Sequence, residues 1–437
     1  LTKQITHALI AIPSASRRRR SLIIDKLSKS NLIVRTLPKL TDLAEGKIKI
    51  SDIRELDIDD LLGREEVSPN HILLSKNNNE KVVLVSGAGG SIGSELCRQI
   101  LKLKPSKLIL LEINEYALYS INSELEILIE NINTVTNTEI IPILASVQDK
   151  ERISDILNTW NVDTVYHAAA YKHVPLVEHN LVEGIKNNVF GTLVMAKESI
   201  LKKVSNFVLV STDKAVRPTN IMGASKRLSE MILQALFKYS DNTATNFCMV
   251  RFGNVLDSSG SVIPKFRDQI RNGGPITLTH KDVTRFFMTL TEASQLVLQA
   301  GALSDGGEVF VLDMGEPVKI YDLANRMIQL SGLKTINDNN PDGDIEIQIT
   351  GLRPGEKLYE ELLLGDNPKS TEHPKIKKAQ DGFIVWGQLE DDLKTLRNLL
   401  DNNEINVILA LMKKLVIEYN PEKKIADWVF NEQNKSQ

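Results

Sequence analysis

Cysteine is almost absent: Cys97 and Cys248 are the two in 437 residues. They lie far apart without metal-ligand spacing, so a disulfide framework is excluded and a reducing compartment fits. Clusters of His and Cys at ligand spacing are missing, and no catalytic metal is expected. No apolar run approaches the roughly 18–20 uncharged residues that cross a bilayer, and no signal peptide opens the chain. An excess of one charge is missing as well. The formal net charge of −3 sets up no global field for nucleic acid, and no such partner is expected. Internal repeats, long low-complexity segments and a hydrolase nucleophile elbow are all lacking.

The length suffices for two or three domains with a large core. Residues 1–80 read as a partial α/β segment and linker. Ala8 to Pro13 forms a strand pattern, and Ser14-Ala15-Ser16 stands where a helix cap belongs. The run Arg17 to Arg20 opens that helix. It reads as a solvated basic face, with phosphate or anionic lipid binding as sharper alternatives. Asn77-Asn78-Asn79 marks a boundary. Short apolar runs at 81–86, 107–112, 140–145, 163–168, 206–212 and 246–251 then alternate with helical segments such as 92–103 and 115–131. That alternation predicts an α/β fold built on a doubly wound parallel sheet of Rossmann type, covered on both faces. The predicted division is a dinucleotide-binding domain over 81–255, a smaller substrate-binding subdomain mainly over 256–375, and a helical extension over 376–437. In the extension, Leu393, Leu396, Leu400, Ile408, Leu411 and Leu415 recur at helical spacing and read as packing positions.

Val82 to Ser86 leads into Gly87-Ala88-Gly89-Gly90-Ser91-Ile92-Gly93. A glycine turn between a strand and a helix lets backbone approach a pyrophosphate, and the helix N-terminus favours its charge. Gly87, Gly89, Gly90, Ser91, Ile92 and Gly93 are therefore expected to bind a dinucleotide. Glu112 ends the second strand at the distance suited to adenosine ribose hydroxyls. Its charge repels a 2′-phosphate, which favours NAD over NADP. Ser146 and Val147 are expected beside the adenine. Ala168 and Ala169 are small enough for close cofactor approach, although tight packing explains them equally well.

Ser211-Thr212-Asp213-Lys214 follows an apolar run, and Met222-Gly223-Ala224-Ser225-Lys226 stands shortly after it. Neighbours on a regular strand face opposite sides. Asp213 and Lys214 thus reach one site only from an irregular strand end. Met222 and Lys226, four apart at the start of a helix, share a face.

In order along the chain come Gly87–Gly93, His167-Ala-Ala-Ala-Tyr-Lys-His-Val-Pro175, Ser211–Lys214, Met222–Lys226, Arg251-Phe-Gly-Asn-Val255 and Leu352-Arg-Pro-Gly-Glu-Lys357. Together, across about residues 81–365, they resemble the CapD-like polysaccharide biosynthesis proteins. These are nucleotide-sugar 4,6-dehydratases of the extended short-chain dehydrogenase superfamily. The resemblance implies NAD as cofactor and UDP-N-acetylglucosamine as substrate. The implied product is the UDP-4-keto-6-deoxy sugar, formed by C4 oxidation, loss of the C6 hydroxyl as water, and reduction at C6. It makes Asp213 the acid and Lys214 the base at C5, and Lys226 the lysine at the nicotinamide ribose. Met222 occupies the position where the superfamily carries a tyrosine base. That leaves Thr212 as a proton relay for the C4 hydroxyl. Asn254, Arg285, Arg353 and Glu356 are expected on the nucleotide, the arginines because a guanidinium fork suits phosphate. Lys172 and His173 are expected to line the sugar pocket, with a structural role for His173 equally open. Met222 further resembles the long, membrane-anchored subgroup. This fits a chain that starts at Leu1 and implies a soluble fragment of a protein held through its N-terminal region at the cytoplasmic face of the inner membrane. A homo-oligomer is also implied. Two alternatives stand beside this reading: a nucleotide-sugar 4-epimerase or reductase, and a non-catalytic NAD-binding scaffold of glycan assembly.

Overall fold

A computed structural model of the chain describes residues 5–12, 15–28, 30, 32–36, 54–55, 68–131, 137–239, 245–363, 368–421 and 425–435. The chain divides into two compact units. The larger comprises 68–253, 290–313 and 353–437, and the smaller 1–67, 254–289 and 314–352.

The larger unit is built on one nine-stranded sheet. Its strands are β4 (Val82–Ser86), β5 (Lys107–Glu112), β6 (Glu139–Leu144), β7 (Thr164–His167), β8 (Asn206–Val210), β9 (Asn246–Arg251), β14 (Glu308–Leu312), β17 (Lys369–Ser370) and β18 (Ile376–Lys378). The spatial order is β17-β18-β14-β9-β8-β7-β4-β5-β6. Neighbours from β14 to β6 run parallel, and β18 and β17 add an antiparallel edge. This is the doubly wound Rossmann order. The direction of winding reverses between β4 and β7, so the crevice beyond those strand ends is where the fold binds ligands.

The central strands are apolar because helices cover both of their faces. Leu84, Ile109, Val165, Phe207 and Phe247 are fully buried. The six expected strands all form, with ends shifted by a residue or two. β14 lies outside the expected strands, although Gly306-Gly307 and the run Glu308-Val-Phe-Val-Leu312 signal a turn and a strand. Helices Trp386–Asp401 and Ile405–Leu415 place Leu393, Leu396, Leu400, Ile408 and Leu415 in the core, with Leu411 packed against it.

In the smaller unit, β1 (His7–Ile10) pairs in parallel with β2 (Ile33–Thr36), and β3 (Arg54–Glu55) lies antiparallel to β2. Three pairs of short strands follow: β10 (Asn254–Val255) with β13 (Phe287–Met288), β11 (Ile276–Leu278) with β16 (Ile347–Ile349), and β12 (Thr284–Arg285) with β15 (Val318–Lys319). The helix Arg17–Ser28 follows Ser16, whose hydroxyl accepts from Arg19 N–H at 3.3 Å. Pro13 and Ser14 lie outside the described residues. The basic face does not stay solvated throughout, because Arg20 is buried.

The larger unit also buries a charge network. Glu230, on helix Ile221–Tyr239, accepts from Ser211 Oγ at 2.6 Å and from Arg251 Nε at 2.7 Å, and pairs with Arg227 at 3.1 Å. Arg251 reaches Asp381 at 2.6 Å, and Arg227 donates to the Gly382 carbonyl at 2.5 Å. Burial alone would raise the Glu230 pKa, but Arg251, Arg227 and Ser211 reverse that and hold it below the usual carboxylate range. Breaking one partner of such a buried pair costs about 3–5 kcal/mol. Glu230→Ala is therefore expected to lower unfolding free energy by about that amount in urea titration. A loss below about 1 kcal/mol would mean the arginines find other partners.

Candidate active site

The site residues sit where parallel strands end. β4 runs into the glycine turn, and Gly87 takes φ +69 there. A Cβ on Gly87 would lie 2.8 Å from the Ala169 backbone, and one on Gly93 would overlap the Gly87 carbonyl. Only glycine permits these approaches. Gly90 is the N-cap of helix Ser91–Lys102 and supplies no side-chain cap. The helix therefore presents its positive end past a bare loop, as an anionic phosphate requires.

Glu112, at the end of β5, is buried. Its Oε2 accepts from Gly89 N–H at 3.0 Å, and its Oε1 accepts from Ile113 and Asn114 N–H at 2.9 and 3.0 Å. A carboxylate has roughly four acceptor sites, so capacity remains for a ligand hydroxyl. Glu112 thus pins the glycine loop to the second strand, a structural duty the sequence did not reveal. After β6, Ser146 Oγ accepts from Gln148 N–H at 3.2 Å, and Val147 is buried. These groups suit a dinucleotide: a bare phosphate cradle, an acidic strand end at the ribose distance, and small side chains after β7.

Beneath the cradle, hydrogen bonding assigns the tautomer of His167. Thr192 Oγ1 donates to the Asn188 carbonyl at 2.7 Å, so at 3.0 Å it accepts from His167 Nε2–H. Nδ1 then accepts from Ser86 Oγ–H at 2.7 Å. Burial first, and Lys226 second, lower the His167 pKa to about 3, which keeps the ring neutral.

Asn188 is a hub absent from the sequence-based assignments. It lies in the π-helical segment Lys186–Gly191, a form that recurs at functional sites. Its side chain accepts from Tyr171 N–H at 2.8 Å and donates to the Tyr171 carbonyl and Ser225 Oγ, each at 3.0 Å. Asn188 thereby ties the loop after β7 to the helix bearing Met222 and Lys226.

β8 ends at Val210, and Asp213–Ala215 form a single 3-10 turn capped by Thr212. This is the irregular strand end that an adjacent acid and amine require. Lys214 Nζ donates to Asp213 Oδ1 at 3.0 Å, and Thr212 Oγ1 donates to the same oxygen at 2.9 Å. Asp213 is fully buried, and its Oδ2 finds no hydrogen-bond partner among the described residues. An unpartnered carboxylate oxygen in a buried place is costly unless a ligand or water completes it. Glu360 Oε1, a further unforeseen group, stands 3.6 Å from Lys214 Nζ.

Helix Ile221–Tyr239 starts beside this turn. Asn220 Oδ1 accepts from Gly223 N–H at 2.8 Å, and Glu178 Oε1 accepts from Ile221 N–H at 2.5 Å. A side chain at Gly223 would overlap the Lys214 carbonyl, so glycine lets helix and turn touch. Met222 and Lys226 are both buried on this helix. Burial lowers the Lys226 pKa to about 8, with Glu230 opposing.

The loop after β7 carries Lys172 and His173, both exposed. Desolvation and then the Lys214 charge lower the Lys172 pKa, and desolvation and then Lys172 lower that of His173. Arg353 and Glu356 close a local turn, in which the Glu356 carboxylate accepts Arg353 N–H at 3.2 Å. Asn254 and Arg285 belong to the smaller unit. Arg285 is buried there and donates to the Thr284 carbonyl at 2.7 Å. Among the described residues no cluster of His, Cys, Asp or Glu could hold a metal, and no helix is long and apolar enough to cross a membrane.

Residues 83–381 match the polysaccharide biosynthesis protein family. The chain belongs to that family. It is 46% identical over 403 residues to the capsular polysaccharide biosynthesis protein CapD of Staphylococcus aureus, covering 92% of this chain and 64% of that protein. It thus spans less than two thirds of the CapD length. A UDP-N-acetylglucosamine 4,6-dehydratase (inverting) of Campylobacter jejuni is 32% identical over 295 residues, 67% of this chain and 80% of that one. A UDP-glucose 4-epimerase of Rickettsia bellii is 32% identical over 294 residues, with the same coverages of 67% and 80%. The family member is thus of the CapD-like, extended short-chain dehydrogenase kind.

A lowered lysine pKa has a signed consequence. Between about 8 and the ordinary lysine value of 10.5, the folded protein binds fewer protons than the unfolded chain, so stability rises with pH across that window. Replacing Lys226 by Met should remove its share of the rise and raise stability at neutral pH. Denaturant midpoints measured against pH check this, and a variant curve parallel to wild type would contradict it.

Proposed function

We propose that the chain is the catalytic part of an NAD-dependent nucleotide-sugar 4,6-dehydratase acting on UDP-N-acetylglucosamine. The observation that carries the reading is the buried Asp213 carboxylate, shared by the Thr212 hydroxyl and the Lys214 amine through one oxygen and, among the described residues, unpartnered at the other. An alcohol oxidation alone needs one base. An acid and an amine together suit elimination of water.

NAD, when bound, supplies a reversible two-electron store. Gly87 to Gly93 receive its phosphates, Glu112 its adenosine ribose, and Ser146 and Val147 flank the adenine, while Lys226 holds the second ribose. Thr212 lies against the sugar C4 hydroxyl and passes its proton to Asp213, toward which its own hydroxyl already points. The new C4 carbonyl acidifies C5–H. Lys214, in its neutral form, takes that proton. Asp213 then gives the proton received from C4 to the departing C6 oxygen, so water leaves and the carboxylate is restored. Lys214 returns its proton to C5 as C6 is reduced. Arg353, Glu356, Asn254 and Arg285 are our assignments for the nucleotide, and Lys172 and His173 for the sugar. Assembly as a homo-oligomer and attachment to a membrane outside this chain belong to the same proposal.

Similarity to an epimerase at the same 32% identity keeps a second reading in view. Incubation with UDP-N-acetylglucosamine in D₂O separates the two. A dehydratase gives a 4-keto-6-deoxy sugar carrying solvent deuterium at C5, whereas a C4 epimer without keto product would identify an epimerase. Asp213→Asn is expected to bind NAD normally and to lose dehydration at least about 100-fold, the lower range for one general acid. Full turnover by that variant would remove Asp213 from the acid role.

A further inference from the structure

Residues 353–361 lie along the turn that bears the acid and the amine. Thr219 Oγ1 and Asn220 Nδ2 both donate to the Gly355 carbonyl at 3.0 Å, and Lys357 Nζ donates to the Val216 carbonyl at 3.0 Å. Arg217 pairs with Glu361 at 3.0 Å. Two adjacent glutamates then part company. The Glu361 side chain is 44% exposed, whereas that of Glu360 is 3% exposed and stands 3.6 Å from Lys214 Nζ. Withdrawing a carboxylate from water is costly without a cationic partner. Lys214 is such a partner, and it is the same amine that lies 3.0 Å from Asp213.

We propose that Glu360 is a positioning residue: it holds the Lys214 amine beside Asp213 and sets the pH at which that amine becomes free to accept a proton. The inference rests on the dehydratase reading and deepens it. An ammonium between two carboxylates is fixed in place more firmly than one held by Asp213 alone. It is also harder to deprotonate, since each negative neighbour favours the charged form. Opposing that, Lys172 on the loop after β7 is close enough for the two amines to repel. Among the described residues, the charged groups facing Lys214 include Asp213 on its own turn, Glu360 on the 353–361 segment and Lys172 on the loop after β7. Arg217 pairs with Glu361, and Lys357 donates to the Val216 carbonyl.

The test is the pH profile of 4-keto product formation by the whole chain with NAD and UDP-N-acetylglucosamine. Activity that needs neutral Lys214 rises with pH through the amine's pKa. Glu360→Gln keeps the shape and removes the charge. Its rising limb is expected about 1–3 pH units below that of wild type, the usual effect of one close opposite charge. Its plateau kcat falls, because the amine is less well placed, while KM for the sugar nucleotide stays within about twofold. Glu360→Asp, with the charge drawn back by one methylene, should fall between the two. A limb unmoved in both variants overturns the proposal and leaves Glu360 a structural residue, whatever happens to kcat. Wild-type protein that forms no 4-keto product overturns the dehydratase reading itself, a distinct outcome.

Discussion

The Glu230 carboxylate is the constraint on which the site depends. A parallel sheet fixes its strands by backbone hydrogen bonds, but those bonds stop where the strands end, and the ends are where the candidate site sits. Glu230 extends the restraint past that point. It holds Ser211, the first residue beyond β8, and Arg251, the last of β9, from a helix whose first turns carry Met222 and Lys226. Arg251 and Arg227 carry the restraint on to Asp381 and Gly382. One carboxylate thus ties two strand ends, one helix and the return of the chain after β18. The arrangement is electrostatically expensive in isolation and acceptable because every charge in it has an opposite charge in contact.

With that frame rigid, the turn at 213–215 can hold an unusual charge pattern. A carboxyl group that accepts from both an amine and a hydroxyl on one oxygen leaves the other without a partner among the described residues. The chain accepts this local penalty at a buried position, as proteins do where function needs it. The glycines serve the same end by another route. Gly93 lets the helix close on the loop, and Gly223 lets a second helix close on the Lys214 carbonyl. In both places backbone meets backbone, and the groups beyond inherit the rigidity of the contact.

What could be read from the sequence follows the range of the forces involved. The six strands, the glycine turn and the packing leucines of the last helices were legible because each depends on neighbours within one turn or one strand. Ser211–Lys214 was legible as an irregular strand end from side-chain alternation alone. β14 carries a local signal, but its Gly-Gly turn and apolar run fall where the regular alternation has faded. Asn188 and Glu360 gave no local signal. The first acts through a π-helical turn that brings its amide to Tyr171 and Ser225. The second sits beside an identical residue, and only the path of the chain decides which glutamate is buried. The second duty of Glu112, holding the Gly89 N–H, was hidden for a similar reason: strand pairing brings the two together.

Methionine at position 222 draws these points together. A buried thioether exchanges no proton, so the helix that carries it contributes packing and Lys226 rather than a base. In the mechanism we propose, proton traffic runs along the strand end, where Thr212, Asp213, Lys214 and Glu360 lie within hydrogen-bond or ion-pair distance in series. Concentrating the transfers there has a chemical advantage. In that proposed mechanism the proton released at C4 is delivered to the carboxyl group from which it is next needed at C6, so the acid is generated by the step before it. The contact between Asp213 and Lys214 keeps the two groups of the proposed elimination together.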